Sequence, residues 1–170
     1  MPLATRGIAA DLGCGCGGNS ILLAKKGFRV VALDKRKEAV DCLKKRLKSR
    51  KLQSAITAKR VDLALSPWPK KQYTLILALN ILHFLPVRRA QFLIRKMQDD
   101  LLPEGIIFIR IFSDKNRPRG KGYHSSPNEF RKLFKDFRVL ELRHYHLEEN
   151  HPPLGLHAHW ILDLVAKKVK

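Results

Sequence analysis

Acidic residues are scarce in this chain. Its 170 residues carry 15 Asp and Glu against 34 Lys and Arg, a formal net charge of +19. Cysteine is scarce too: there are three, two of them a single residue apart. Cysteines so few and so spaced exclude the disulfide framework of a small secreted domain. No apolar run approaches the ~18 residues needed to cross a bilayer. The richest stretch, Leu75 to Leu85, is interrupted by Asn80 and His83. Met1 to Ala10 lacks the apolar core of a signal peptide. These absences give the expectation of a cytoplasmic protein with no membrane partner. Hydrophobic residues make up 45%, which excludes a disordered basic tail. The length suits one domain, 1–170.

The positive charge is concentrated. Lys25 to Arg60 holds 14 basic residues and 3 acidic ones, Asp34, Glu38 and Asp41. Such a field attracts nucleic acid or anionic substrates, and it also describes a solvated helix face. A basic RNA-binding or RNA-methylating module is therefore one reading of the chain, though not the favoured one.

Strand and helix patterns alternate. Apolar runs at Ile8–Leu12, Phe28–Leu33, Ile56–Val61, Tyr73–Leu79 and Ile106–Phe112 read as strands. Tyr73–Leu79 is nearly all apolar, as a parallel strand buried on both faces should be. Helical spacing is found in Ser20–Lys26, Glu38–Lys51 and Val87–Leu102. Ser66-Pro67-Trp68-Pro69 reads as a turn, Pro103-Glu104-Gly105 as a break, and Ser113–Ser125 as a long polar loop. Ser126-Pro127-Asn128-Glu129 is a capping-box signature for a further helix. Two last strands, Val139–Leu147 and His159–Lys167, flank a loop with Pro152, Pro153 and Gly155. With no helix between them, they should pair antiparallel. The fold class that follows is α/β: Rossmann-like, a mostly parallel sheet flanked by helices, with a C-terminal antiparallel hairpin.

The strongest motif is Asp11-Leu12-Gly13-Cys14-Gly15-Cys16-Gly17-Gly18, between the first strand and the first helix. It fits G-x-G-x-x-G through Gly18 and G-x-G-x-G through Gly17, and glycines alone do not choose between them. A nicotinamide-dependent Rossmann enzyme would fit the first pattern. Three carboxylates add information. Asp11 precedes the turn, where it would repel a pyrophosphate and suit a cationic amino group. Asp34 ends the second strand, 21 positions after Gly13, where it can accept bonds from ribose hydroxyls. Asp62 ends the third, within reach of a base. An ammonium group, a ribose and a purine together describe S-adenosylmethionine.

At these residues the sequence resembles the class I S-adenosylmethionine-dependent methyltransferases. Asp11-x-Gly13-x-Gly15-x-Gly17 looks like their first motif, Asp34 like their ribose-binding acid and Asp62 like their adenine-contacting acid. Leu79 to Leu85 is similar to their motif after the fourth strand, and Leu102-Pro103-Glu104-Gly105 to the turn into their fifth. Gly17-Gly18-Asn19-Ser20 and the aliphatic helix after it resemble the tellurite-resistance methyltransferases. The resemblance implies S-adenosyl-L-methionine as cofactor, held by Asp11, Gly13, Cys14, Gly15, Gly17, Asn19, Asp34, Lys35, Asp62, Leu63, Leu79 and Asn80. It implies methyl transfer to a small-molecule acceptor, such as a tellurite-like oxyanion. It also makes the domain N-terminally short, since such enzymes usually place a helix before the first strand.

Methyl transfer needs positioning and desolvation, and a base only when the acceptor must lose a proton. His83, after the fourth strand, is the candidate catalytic residue, with packing as its alternative role. Arg110, a charge inside a strand, would attract an anionic substrate or pair with a carboxylate. The final hairpin is expected to line the substrate pocket through His151, His157 and His159. His144/His146 and His157/His159 could converge across it, yet no metal site is expected without Cys ligands or a helical H-x-x-x-H. Cys14 and Cys16 read as small turn residues, and Cys42 as remote from the site. The Asp/Asn-Pro-Pro-aromatic motif of base-modifying enzymes is missing after the fourth strand.

Overall fold

The computed structural model describes residues 7–66, 72–116, 122–151 and 155–169. Pro67-Trp68-Pro69, the middle of the Ser113–Ser125 loop and Pro152-Pro153 lie outside the described residues. Among the described residues there are seven strands: β1 (Ile8–Leu12), β2 (Arg29–Asp34), β3 (Ile56–Arg60), β4 (Tyr73–Leu79), β5 (Leu101–Phe112), β6 (Phe137–His151) and β7 (Gly155–Lys168). Four helices accompany them: α1 (Gly18–Lys25), α2 (Lys37–Arg50), α3 (Val87–Asp100) and α4 (Pro127–Leu133). A single helical turn, Leu82–Phe84, follows β4.

The strands form one sheet in the order β3-β2-β1-β4-β5-β7-β6. β1 to β5 run parallel, and β7 runs antiparallel to both β5 and β6. This is the mostly parallel sheet with an antiparallel hairpin that the alternation predicts. The apolar runs of β1 and β4 are covered on both sides. On one face Ile76, Ala78, Ile107 and Ile109 pack with Leu93, Ile94 and Met97 of α3 and Phe130 of α4. On the other, Val30, Ala32, Leu75 and Leu77 pack with Ile21 of α1 and with Leu43 and Leu47 of α2. The lysines of α2 that made the charge cluster, among them Lys44, Lys45 and Lys48, face solvent. Among the described residues no helix is long and apolar enough to cross a membrane.

The largest departures from the expected boundaries are in β5, β6 and β7. β5 starts at Leu101, so Pro103-Glu104-Gly105 lies inside it. The pairing with β4 shifts register between Tyr73 and Leu75, and Glu104 takes φ 65°, so the segment is a bulge and not a break. The Lys168 ammonium donates to the carbonyls of Gln98 and Leu101, both at 2.8 Å, replacing the glycine cap that the end of α3 lacks. The hairpin strands run further than hydropathy shows, because β7 is paired along most of β6.

The capping signature is used. Ser126 Oγ accepts from the Glu129 amide at 3.1 Å, while Ser125 Oγ donates to the Glu129 carboxylate at 2.9 Å. Ser126→Ala should therefore cost about 1 kcal/mol, measurable by urea unfolding. An unchanged midpoint would remove the cap from the account.

Candidate functional site

The carboxyl ends of β1, β2 and β4 frame the site. Asp11 is 2% exposed, and its Oδ2 accepts from Ser20 Oγ at 2.5 Å, tying β1 to the first turn of α1. Burial raises its pKa, and the Ser20 hydrogen bonds offset only part of that rise. Gly13, Gly15 and Gly17 all have positive φ, at 69°, 54° and 76°. The turn therefore needs glycine at these three places, which selects the G-x-G-x-G spacing.

Asp34 organises the turn from β2. Its Oδ2 accepts from the Gly15 amide and its Oδ1 from the Arg36 amide, each at 2.9 Å. Burial alone would raise its pKa. The two amides and the Arg36 guanidinium outweigh that and hold it below the ordinary carboxylate value. Asp62 Oδ1 accepts from the Ala64 amide at 2.9 Å and shapes the loop after β3. Asn80, with φ 58°, is one of three non-glycine residues of positive φ among those described. Asparagine tolerates that conformation better than most side chains.

These segments enclose a cavity of about 330 Å³. Of the expected cofactor residues, Gly13, Asp34, Lys35, Asp62, Leu63 and Asn80 line it. Asp11, Cys14, Gly15, Gly17, Asn19 and Leu79 do not: Asp11, Cys14 and Gly17 are buried beneath the turn, and Asn19 is exposed on α1. Sequence reasoning missed Arg36, Val61, Ile81, Phe84 and Leu85, which also line it. Ile81, Phe84 and Leu85 had a signal, since all three lie in the Leu79–Leu85 motif after β4. Phe84 is 67% exposed at the cavity, unusual for so large an apolar ring.

The cysteine reading needs correction. Cys16 and Cys42 form a disulfide with Cα atoms 5.3 Å apart. Leu43 and Leu47 pack α2 against the sheet, and Cys42, on the same helix, thereby reaches the glycine turn. Arg46 adds a hydrogen bond to the Cys16 carbonyl at 2.6 Å. Cys14 is a free, buried thiol whose pKa is pushed up to about 12 by burial and then by Asp11 and Asp34.

Beyond β4 lies a stack of rings. His83 is 6% exposed and stacks on Phe112 at 4.0 Å between centroids, and Phe112 stacks on His159 at 4.3 Å. Among the described residues His83 Nδ1 is buried with no hydrogen-bond partner. Burial, and then His124 and His159, depress the His83 pKa to about 4. The ring is a neutral imidazole at pH 7.

Arg110 is paired. Its Nε and Nη2 donate to the two oxygens of Asp163, each at 2.7 Å, and Tyr145 donates to the same carboxylate at 3.1 Å. The four hairpin histidines do not converge. β6 pairs with β7 so that His144 opposes Leu162 and His146 opposes Trp160. That parity puts the two on the face opposite His157 and His159. His144 bonds Ser113 Oγ at 2.8 Å instead. His157 and His159 share a face with Glu149, an arrangement the sequence did not suggest. His151 ends β6, and its side chain lies outside what the structure describes.

Comparison with known proteins gives one family. The family model described as "Tellurite resistance protein TehB" matches residues 3–151. No curated protein sequence matches. Solved structures share the fold. TehB from Haemophilus influenzae superposes with TM-score 0.85 at 22% identity, over 97% of this chain and 58% of that one. The chain thus spans less than two thirds of that relative. A SAM-dependent methyltransferase from Methanosarcina mazei gives TM-score 0.71 at 17% identity, over 98% and 94% of the two chains. The N-methyltransferase NodS from Bradyrhizobium japonicum, in complex with S-adenosyl-L-homocysteine, gives 0.72 at 16%, over 96% and 78%.

Proposed function

The chain belongs to the family of the tellurite resistance protein TehB, and on that premise we propose that it is an S-adenosylmethionine-dependent methyltransferase acting on a small-molecule acceptor. One observation supports this most: Asp34 and Asp62, at and just after the ends of β2 and β3, line a cavity beside the glycine turn, and Asp11 at the end of β1 lies buried beneath that turn. The donor set suits the cofactor. Asp11 is a buried carboxylate whose desolvation a cationic amino group would offset. Asp34 is held ionised and presents acceptors for two ribose hydroxyls. Asp62, Leu63 and Ile81 offer one acceptor and two apolar surfaces for a purine. When bound, S-adenosylmethionine supplies an activated methyl group and its own leaving group.

The chain's part in the reaction is placement and exclusion of water. Phe84 and Leu85 cover the cavity side after β4, whereas His83, packed against Phe112 with its pKa depressed to about 4 by burial, is a weak base and serves placement rather than proton transfer. A soft or anionic acceptor, a tellurite-like oxyanion among them, suits the strongly basic surface, which raises the local concentration of anions. That surface lies on α2, beside the cavity, so nucleic acid is not the favoured acceptor.

Calorimetric titration tests the cofactor. S-Adenosylhomocysteine should bind and NAD should not. Asp34→Ala should weaken the former about ten-fold or more, through loss of a charge-assisted pair. Binding of NAD alone would overturn the methyltransferase reading. Unchanged affinity in Asp34→Ala would remove that residue from the cofactor site.

A further inference from the structure

We propose that Glu149, His157 and His159 form a binding site for one divalent transition-metal ion on the β6–β7 hairpin. The ligating atoms of the three side chains all lie within 4.8 Å of one another. Two imidazoles and a carboxylate are the donor set of many three-ligand zinc and iron centres, and imidazole disfavours Mg²⁺ and Ca²⁺. The register explains the meeting. Glu149 sits directly opposite His157, and His159 follows two residues on, with its side chain on the same face.

Two further features favour a metal over a chance cluster. His157 Nδ1 lies 2.9 Å from the Gly155 carbonyl. Donating there fixes the tautomer and leaves the lone pair on Nε2, the arrangement usual for metal-bound histidine. The His159 ring is held flat against Phe112, so its orientation is set by packing. All three residues are half-buried, in an otherwise basic molecule that has few carboxylates to bring to such a place. Tetrahedral bonds of about 2.1 Å put ligand atoms roughly 3.4 Å apart, so small side-chain rotations close the site. Glu149 also feels the charge of Arg110, whose own partner is Asp163.

Three protein ligands leave a position for water or for an anionic acceptor. Through Phe112 the site adjoins His83, so a metal there would hold an oxyanion or thiolate on the acceptor side of the cavity. This use rests on the methyltransferase reading, whereas metal binding itself does not.

The test uses tag-free, chelator-stripped full chain, titrated with Zn²⁺ by calorimetry and with Co²⁺ by absorption. One equivalent of each should bind, and Co²⁺ should show the intense visible bands of a low-coordinate site. His157→Ala and His159→Ala should each weaken Zn²⁺ at least about ten-fold. His146→Ala, on the opposite face, should leave binding unchanged. Glu149→Gln, a nearly isosteric change, should alter the Co²⁺ spectrum even if a histidine variant folds poorly. Absence of saturable binding, or undiminished binding in the His157→Ala/His159→Ala double variant, would overturn the proposal. Titration with S-adenosylhomocysteine in the same samples separates its failure from failure of the cofactor reading.

Discussion

Gly17→Ala is expected to destabilise the protein by about 2–5 kcal/mol and, on the proposed function, to weaken S-adenosylhomocysteine binding with it. Two costs combine. Gly17 has φ 76°, a left-handed conformation that costs a side-chain-bearing residue roughly 1–2 kcal/mol. A Cβ there would also stand 2.2 Å from Leu43 Cδ1 and 3.0 Å from its Cγ. Leu43 is 0% exposed and packed in the α1/α2 core, so it can yield only by disturbing its neighbours. Overpacking of this kind costs about 1–3 kcal/mol. Gly18→Ala is the control. A Cβ at Gly18 meets nothing within 4 Å, and this residue starts α1. That change should stay within about 0.5 kcal/mol of wild type. Equal losses in the two variants, measured by urea unfolding, would show that Leu43 is not the constraint.

His83 gives the second large effect, and it is one of pH. In the unfolded chain its imidazole binds a proton near pH 6.5, whereas in the native protein it does so only near pH 4. Between those values the unfolded state holds more protons, so stability falls as pH falls. The full difference reaches about 3 kcal/mol below pH 4 and vanishes above pH 6.5. Asp34 adds a loss of the same sign at lower pH, because its native pKa is depressed. His83→Phe keeps a ring against Phe112 and removes the titration. The gap between variant and wild type should therefore shift by up to about 3 kcal/mol in favour of His83→Phe between pH 7.5 and pH 4. Parallel stability curves would mean that the ring is protonated freely in the native state.

The sheet was legible in the sequence because its signals are local. Tyr73–Leu79 and Ile8–Leu12 are apolar throughout, as strands covered on both faces must be, and the hairpin followed from the absence of a helix. The carboxylates at strand ends were legible for the same reason, since each strand announces where it stops. Features set by packing between distant segments were not. The Cys16–Cys42 bridge depends on where α2 settles over the glycine turn. The stack of His83, Phe112 and His159 depends on how β7 registers against β5. Glu149 joined His157 and His159 only through the pairing of β6 with β7, and that same parity parted His144 and His146 from them. The bulge at Glu104 was hidden because Pro-Glu-Gly reads as a terminator, and only the pairing with β4 carries the strand through it.

The position of β7 bears on how the molecule is made. It is the last described strand in sequence order, yet it lies inside the sheet, between β5 and β6. During synthesis on the ribosome β6 emerges before the strand that will join it to the rest. Until β7 follows, the open edge of β5 and both edges of β6 offer unpaired amides and carbonyls to any passing chain. Arg143, His146 and Glu148, all exposed on β6, are the type of residue that deters such mispairing. Translation that pauses between Asn150 and Gly155 would prolong that interval, and chaperone demand should peak there.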